Sequence, residues 1–81
     1  MKVIRFTASW CAPCKMLAKT LEELETDIEI EVDDIDSEDS RAGHFQIRSV
    51  PTLVMFADDG QEIKRLSGTK SLKELNEWFA N

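Results

Sequence analysis

Within three residues, between Ala8 and Cys11, the apolar pattern of this chain switches from strand to helix, and no other feature narrows the fold as far. Lys2 to Ala8 carries Val3, Ile4, Phe6 and Thr7, β-branched and aromatic types that suit a buried pleated surface, and Ser9-Trp10 ends the run. From Cys11 the spacing is helical. Cys14, Leu17, Ala18, Leu21 and Leu24 form one stripe, with Lys15, Lys19, Glu22 and Glu23 on the other, which predicts a helix to about Glu25. Pro13 fits the first turn, where its missing N–H would have had no partner. A strand feeding straight into a helix is the start of a β-α-β unit, and two cysteines sit at its joint.

The rest of the chain supplies what such a unit packs against. Ile28, Ile30 and Val32 alternate with Glu29, Glu31 and Asp33, a second strand with one apolar and one acidic face, expected at a sheet edge where outward acids discourage pairing with another chain. Residues 21–40 hold eleven acids and no Lys or Arg, which reads as a solvated face. Asp36 or Ser37 caps a short helix expected through about Gln46, with Ala42 and Phe45 turned inward, until Ser49-Val50-Pro51 stops it. Thr52 to Ala57 is an apolar run of strand length. Asp58-Asp59-Gly60 then turns into a partner strand from about Gln61 to Ser67, a β-hairpin. Ser71 and Glu74 have capping-box spacing, and Leu72, Leu75, Trp78 and Phe79 give a final helix its inner face.

The expected order is therefore β-α-β-α-β-β-α. A right-handed crossover makes the first two strands parallel and the hairpin adds antiparallel ones, giving an α/β three-layer sandwich on a four-stranded mixed sheet. With 81 residues there is room for one domain, 1–81, and for little cavity space. The net charge of −6 disfavours nucleic acid, because counterion release rewards only basic surfaces. No stretch reaches the ~20 apolar residues of a membrane span, and Arg5 interrupts Val3 to Thr7 too early for a signal segment, so the cytoplasm is expected.

The chain has two cysteines, Cys11 and Cys14, where a disulfide-stapled secreted mini-protein would carry four to eight. Three residues apart at the start of a helix, their side chains reach neighbouring turns and can bridge into a small ring. Unpaired N–H groups and the positive helix end favour the thiolate of Cys11, making it the attacking sulfur. Cys14, a turn deeper on the apolar stripe, stays a thiol until needed. A pKa drop of ~1.5 units raises the thiolate fraction at pH 7 roughly 15-fold but lowers intrinsic nucleophilicity about fivefold, so attack gains only about threefold. The larger gain is that Cys11 becomes a better leaving group when Cys14 expels a product.

Trp10-Cys11-Ala12-Pro13-Cys14-Lys15 after a strand, Val50-Pro51-Thr52-Leu53 later and Gly68 before the last helix resemble the thioredoxin family over nearly the whole chain. The resemblance implies a reductant of protein disulfides that cycles through a Cys11/Cys14 disulfide without a cofactor. A thioredoxin reductase or similar donor would recharge it, and a monomer is expected. It further implies a cis bond before Pro51 and backbone pairing of substrate with Val50. Trp10, Ala12, Pro13, Val50, Pro51 and Gly68 would form one docking surface beside Cys11. Three departures stand out. Ala12 replaces the usual glycine of the motif. The family's buried aspartate six residues before the first cysteine is Arg5 here, and the lysine that pairs with it is Val32. The chain also begins at the motif strand, as in minimal members lacking the N-terminal strand and helix.

Arg5 shares a strand face with Val3 and Thr7; the family resemblance implies that this face lies beneath Cys14, where Arg5 and Lys15 are candidates for electrostatic tuning. An acidic partner from a neighbouring strand or the last helix, or a stem that snorkels to water, would accommodate it. Other chemistries fit less well. Closed zinc sites want four ligands, and Cys11, Cys14 and His44 make at most three, so no metal is expected. Haem attachment needs His where Lys15 stands. His44 is assigned no role, while Met16, Met55 and Trp78 are read as packing. A glutaredoxin-like enzyme using glutathione is the alternative activity, lacking here the Gly-Gly-x-Asp pattern that binds glutathione. A binding module that ignores its cysteines is the remaining alternative.

Overall fold

In the computed structural model, which describes residues 1–80, Val3, Ile4 and Phe6 of β1 (Lys2–Thr7) are all nearly or fully buried, as only a strand covered on both faces allows. β1 is accordingly internal. It pairs in parallel with β2 (Glu29–Asp34) and antiparallel with β3 (Thr52–Phe56), and β3 pairs antiparallel with β4 (Glu62–Ser67). The sheet is four-stranded and mixed with β2 at one edge, as the sequence predicts, and its strand order is β2-β1-β3-β4.

One face is covered by α1 (Ala12–Glu22) and α2 (Leu72–Ala80), whose Leu17, Leu75 and Phe79 meet Val3, Leu53 and Met55. α1 ends three residues earlier than its periodicity predicts. Glu23 and Leu24 bond to Thr20 and Leu21 carbonyls, the tighter turn common at helix ends. The N-terminus of α2 is closed by the reciprocal pair expected from the sequence: Ser71 N–H donates to Glu74 Oε1 at 3.1 Å and Glu74 N–H to Ser71 Oγ at 3.2 Å.

The other face carries the main correction to the expected order. No helix forms from residue 36 to 46, so the elements run β-α-β-β-β-α. Competing side-chain bonds explain it. Asp36 N–H donates to Asp34 Oδ1, Ser37 Oγ bonds Asp39, Ala42 N–H donates to Ser40 Oγ, and Gln46 adopts φ 56°. Asp and Ser side chains that satisfy local N–H groups remove the advantage of an i to i−4 ladder. The segment still forms a layer. Ala42, Phe45 and Ile47 pack over Ile4, Phe6, Val54 and Phe56, and Phe45 stands edge-on to Phe6 with ring centres 6.2 Å apart.

The acidic face of β2 is not wholly outward either. Asp33 is 6% exposed beneath this segment, accepting from Ser40 Oγ at 2.6 Å and Arg41 N–H at 3.0 Å, while Val32, expected on the apolar face, is 59% exposed. Strand parity places both. Val32 pairs with Arg5 on the helix side at the uncovered sheet edge, whereas Asp33 pairs with the buried Phe6 on the opposite side.

Candidate active site

The end of β1 delivers Ala8 into the interior, and Cys11 N–H donates to Ala8 O at 3.2 Å, which turns the chain directly into α1. Cys11 is the N-cap. Its Sγ accepts from Cys14 N–H at 3.1 Å, the role Ser or Asp plays at other helix starts, so a polarised donor already points at this sulfur. Pro13 lies within the first turn and carries no N–H of its own. The two cysteines are joined as a disulfide with Cα atoms 5.2 Å apart. Cys11 is 5% and Cys14 1% exposed, so Cys11 is the more accessible sulfur and Cys14 belongs to the interior with Ala8.

Two other segments reach this point. Val50 packs against the cysteine cluster, its carbonyl oxygen 3.8 Å from Cys11 Sγ. The Val50–Pro51 peptide bond is cis, and Pro51 O accepts from Gly68 N–H at 3.0 Å. Gly68 needs its missing Cβ for backbone reasons, since its φ of 85° is left-handed. Thr52 Oγ1 donates to Ser49 O at 2.8 Å and holds the loop before the proline. The loop and Gly68 are thereby tied together next to Cys11.

Ala12 and Pro13 are exposed, Val50 and Gly68 half-buried and Pro51 buried, so the expected docking residues differ in what they can offer a partner. Trp10 is 68% exposed, and its indole Nε1 donates to Asp36 Oδ2 at 2.8 Å. Sequence reasoning missed Asp36 because it was one of eleven acids in a solvated stretch. Its position just after the strand neighbouring β1 was the available signal. Met16, expected in the core, is 63% exposed on α1, since the helix buries Cys14 and Leu17 and turns Met16 outward; Met55 is buried and Trp78 packs partly against the core under Lys64 Nζ, 5.0 Å from its ring centre.

Arg5 and Lys15 flank the site from below. A cleft of about 270 Å³ at the β2 edge is lined by Arg5, Thr7, Cys14, Lys15, Val32 and Asp34 among others. Among the described residues Arg5 has no ion pair, so the acidic partner anticipated for it is not there, and burial pushes its guanidinium pKa down. The described residues contain no cluster of three or more metal-ligating side chains, and His44 stands edge-on against Phe45, ring centres 4.8 Å apart.

The arrangement, a reversible two-sulfur ring at a helix start beside a backbone edge, suits thiol-disulfide exchange. Comparison with known proteins agrees. The family model described as Thioredoxin matches residues 1–81. The chain is similar to a thioredoxin of Mycobacterium tuberculosis, 40% identical over 87 residues, covering 98% of this chain and 74% of the relative. It is 38% identical to a Staphylococcus aureus thioredoxin over 81 residues, covering 95% and 77%. Among solved structures, a mutant thioredoxin from Halobacterium salinarum superposes with a TM-score of 0.84 at 34% identity, covering 95% of this chain and 69% of that one.

Proposed function

The chain belongs to the thioredoxin family, and from that membership we propose that this thiol-disulfide oxidoreductase acts as a reductant of protein disulfides. The observation that carries the reading is the Cys11–Cys14 pair capped at α1 beside the Val50 carbonyl. In the reduced protein the Cys11 thiolate attacks one sulfur of a substrate disulfide; a bond forms between Cys11 Sγ and that sulfur, and the other leaves as a thiolate that takes a proton from water. Cys14, having given its proton to solvent, then attacks Cys11 Sγ. The Cys11–Cys14 bond forms, the second substrate sulfur leaves, and two electrons have passed to the substrate. A reductase or other dithiol donor recharges the pair, with no bound cofactor or metal.

Docking is assigned to Trp10, Ala12, Pro13, Val50, Pro51 and Gly68, with the free edge of the Val50 backbone offering pairing to an extended substrate segment irrespective of its side chains. The exposed Trp10 indole donates to Asp36, which restrains the ring beside Cys11 in the proposed docking surface. We assign residues 1–81 to one domain, monomeric and cytoplasmic. No helix among the described residues is long and apolar enough to cross a membrane. Titrating Trp10 fluorescence in glutathione redox buffers tests the direction of electron flow. A reductant has a potential below about −220 mV, and a value above about −180 mV would make the protein an oxidant instead.

A further inference from the structure

β1 carries a cation, Arg5, that makes no ion pair among the described residues. In strand register Arg5 lies between Leu53, 1% exposed, and Val32, 59% exposed, so its stem rests on the core and its head reaches the cleft at the β2 edge. Three charged side chains line that cleft, Arg5 from β1, Lys15 from α1 and Asp34 from β2, and α2 contributes none. Asp34 is the one acid among them and makes no ion pair with Arg5. A half-buried guanidinium with no ion-pair contact is a cost to folding unless a negative charge comes beside it in some state of the protein. The structure holds the oxidised state, in which both sulfurs are neutral. Cys14 lines the same cleft, and its ionisation would add to Asp34 a second anionic group there, one that forms only in the reduced protein.

We propose that Arg5 acts through Cys14, favouring its thiolate in the mixed disulfide and so setting the rate and pH dependence of the resolving step. This rests on the exchange cycle above, in which Cys14 loses its proton to solvent, attacks Cys11 Sγ and displaces the substrate thiolate. Desolvation of Cys14, 1% exposed, opposes that ionisation; of the two cations lining the cleft, Arg5 is half-buried and Lys15 exposed, so Arg5 is the less screened and the better able to offset it. If the guanidinium lowers the Cys14 pKa by about one unit, the thiolate fraction at neutral pH rises about tenfold while nucleophilicity falls about threefold. Resolution is then about three- to fourfold faster with Arg5 at neutral pH. At alkaline pH, where Cys14 is ionised with or without the guanidinium, the order reverses and the protein lacking the charge resolves about threefold faster. A purely structural arginine produces no such crossing.

The direct test needs no turnover. In a Cys11→Ser background, where Cys14 is the remaining thiol, its ionisation is followed by ultraviolet thiolate absorbance, with Arg5, Arg5→Met, Arg5→Gln and Arg5→Lys compared and folding checked by circular dichroism. The expected result is an apparent pKa about one pH unit higher in the Met and Gln forms and largely restored by Lys. Equal pKa values in all folded variants overturn the proposal. Since this readout is independent of substrate, a protein that fails to reduce disulfides would count against the proposed function while leaving the Arg5 result readable.

Discussion

Asp33→Ala removes a buried acceptor on which an irregular layer of the fold depends. Asp33 is 6% exposed, takes hydrogen bonds from Ser40 Oγ and Arg41 N–H, and has Arg41 Nε at 3.6 Å. A hydrogen bond to a charged group is worth about 1.5–3 kcal/mol, but Ser40 and Arg41 lie near enough to solvent for water to replace part of what is lost. The half-exposed Arg41 guanidinium adds little. The expected cost is therefore about 2–3 kcal/mol, which in a domain of this size lowers Tm by roughly 10–20 °C. Thermal unfolding of the oxidised protein, followed by far-ultraviolet circular dichroism, reads it. Faster proteolysis between residues 36 and 47 should accompany the drop, because Ala42, Phe45 and Ile47 lose the anchor that holds them on Phe6 and Phe56. A Tm change under about 3 °C would refute the reasoning, since the segment would then be held by its apolar contacts alone.

Acid should weaken the fold for a different set of carboxylates. Hydrogen bonds from Arg41 hold Glu31, those from Arg65 hold Glu62, and the Ser71 N–H holds Glu74, each below the usual carboxylate range. A lowered folded pKa means that the unfolded chain binds more protons as pH falls, so this stabilisation is present above about pH 4.3 and is lost as pH falls through the folded values. The urea midpoint should be lower at about pH 3 than at pH 7, and an equal midpoint would contradict it. Asp36→Ala frees the Trp10 indole without touching either sulfur. It should change Trp10 fluorescence and slow reduction of a protein disulfide about two- to fivefold, with small-molecule disulfides unaffected; equal slowing of both would place Asp36 in the sulfur chemistry.

What the sequence made legible follows from how local each signal was. The joint at Ser9–Cys11, the Ser71–Glu74 cap and the Asp58-Asp59-Gly60 turn are written in adjacent residues, and each appears where its chemistry places it. The segment after β2 was not readable that way. Ser40 and Arg41 bond a buried Asp33 seven and eight residues back, and the same Asp and Ser types that cap helices here satisfy one another instead. Strand alternation alone also put Val32 inward, because it could not say that the helix-side core, which takes in Ile28 and Ile30, ends before Val32. The partner of Trp10 and the cleft shared by Arg5 and Cys14 both join residues of different elements, so only the assembled sheet brings them together.

The division of labour between the two sulfurs is the centre of this account, and intact-mass analysis of a trapped intermediate tests it most directly. Reduced Cys14→Ser and Cys11→Ser proteins are each mixed with a disulfide-bonded protein substrate and quenched with acid. Cys14→Ser should accumulate a one-to-one mixed disulfide through Cys11, the N-cap sulfur that accepts the Cys14 N–H and lies beside the Val50 carbonyl, while Cys11→Ser gives little adduct. Adduct on Cys11→Ser, through the buried Cys14, in place of Cys14→Ser would contradict the assignment.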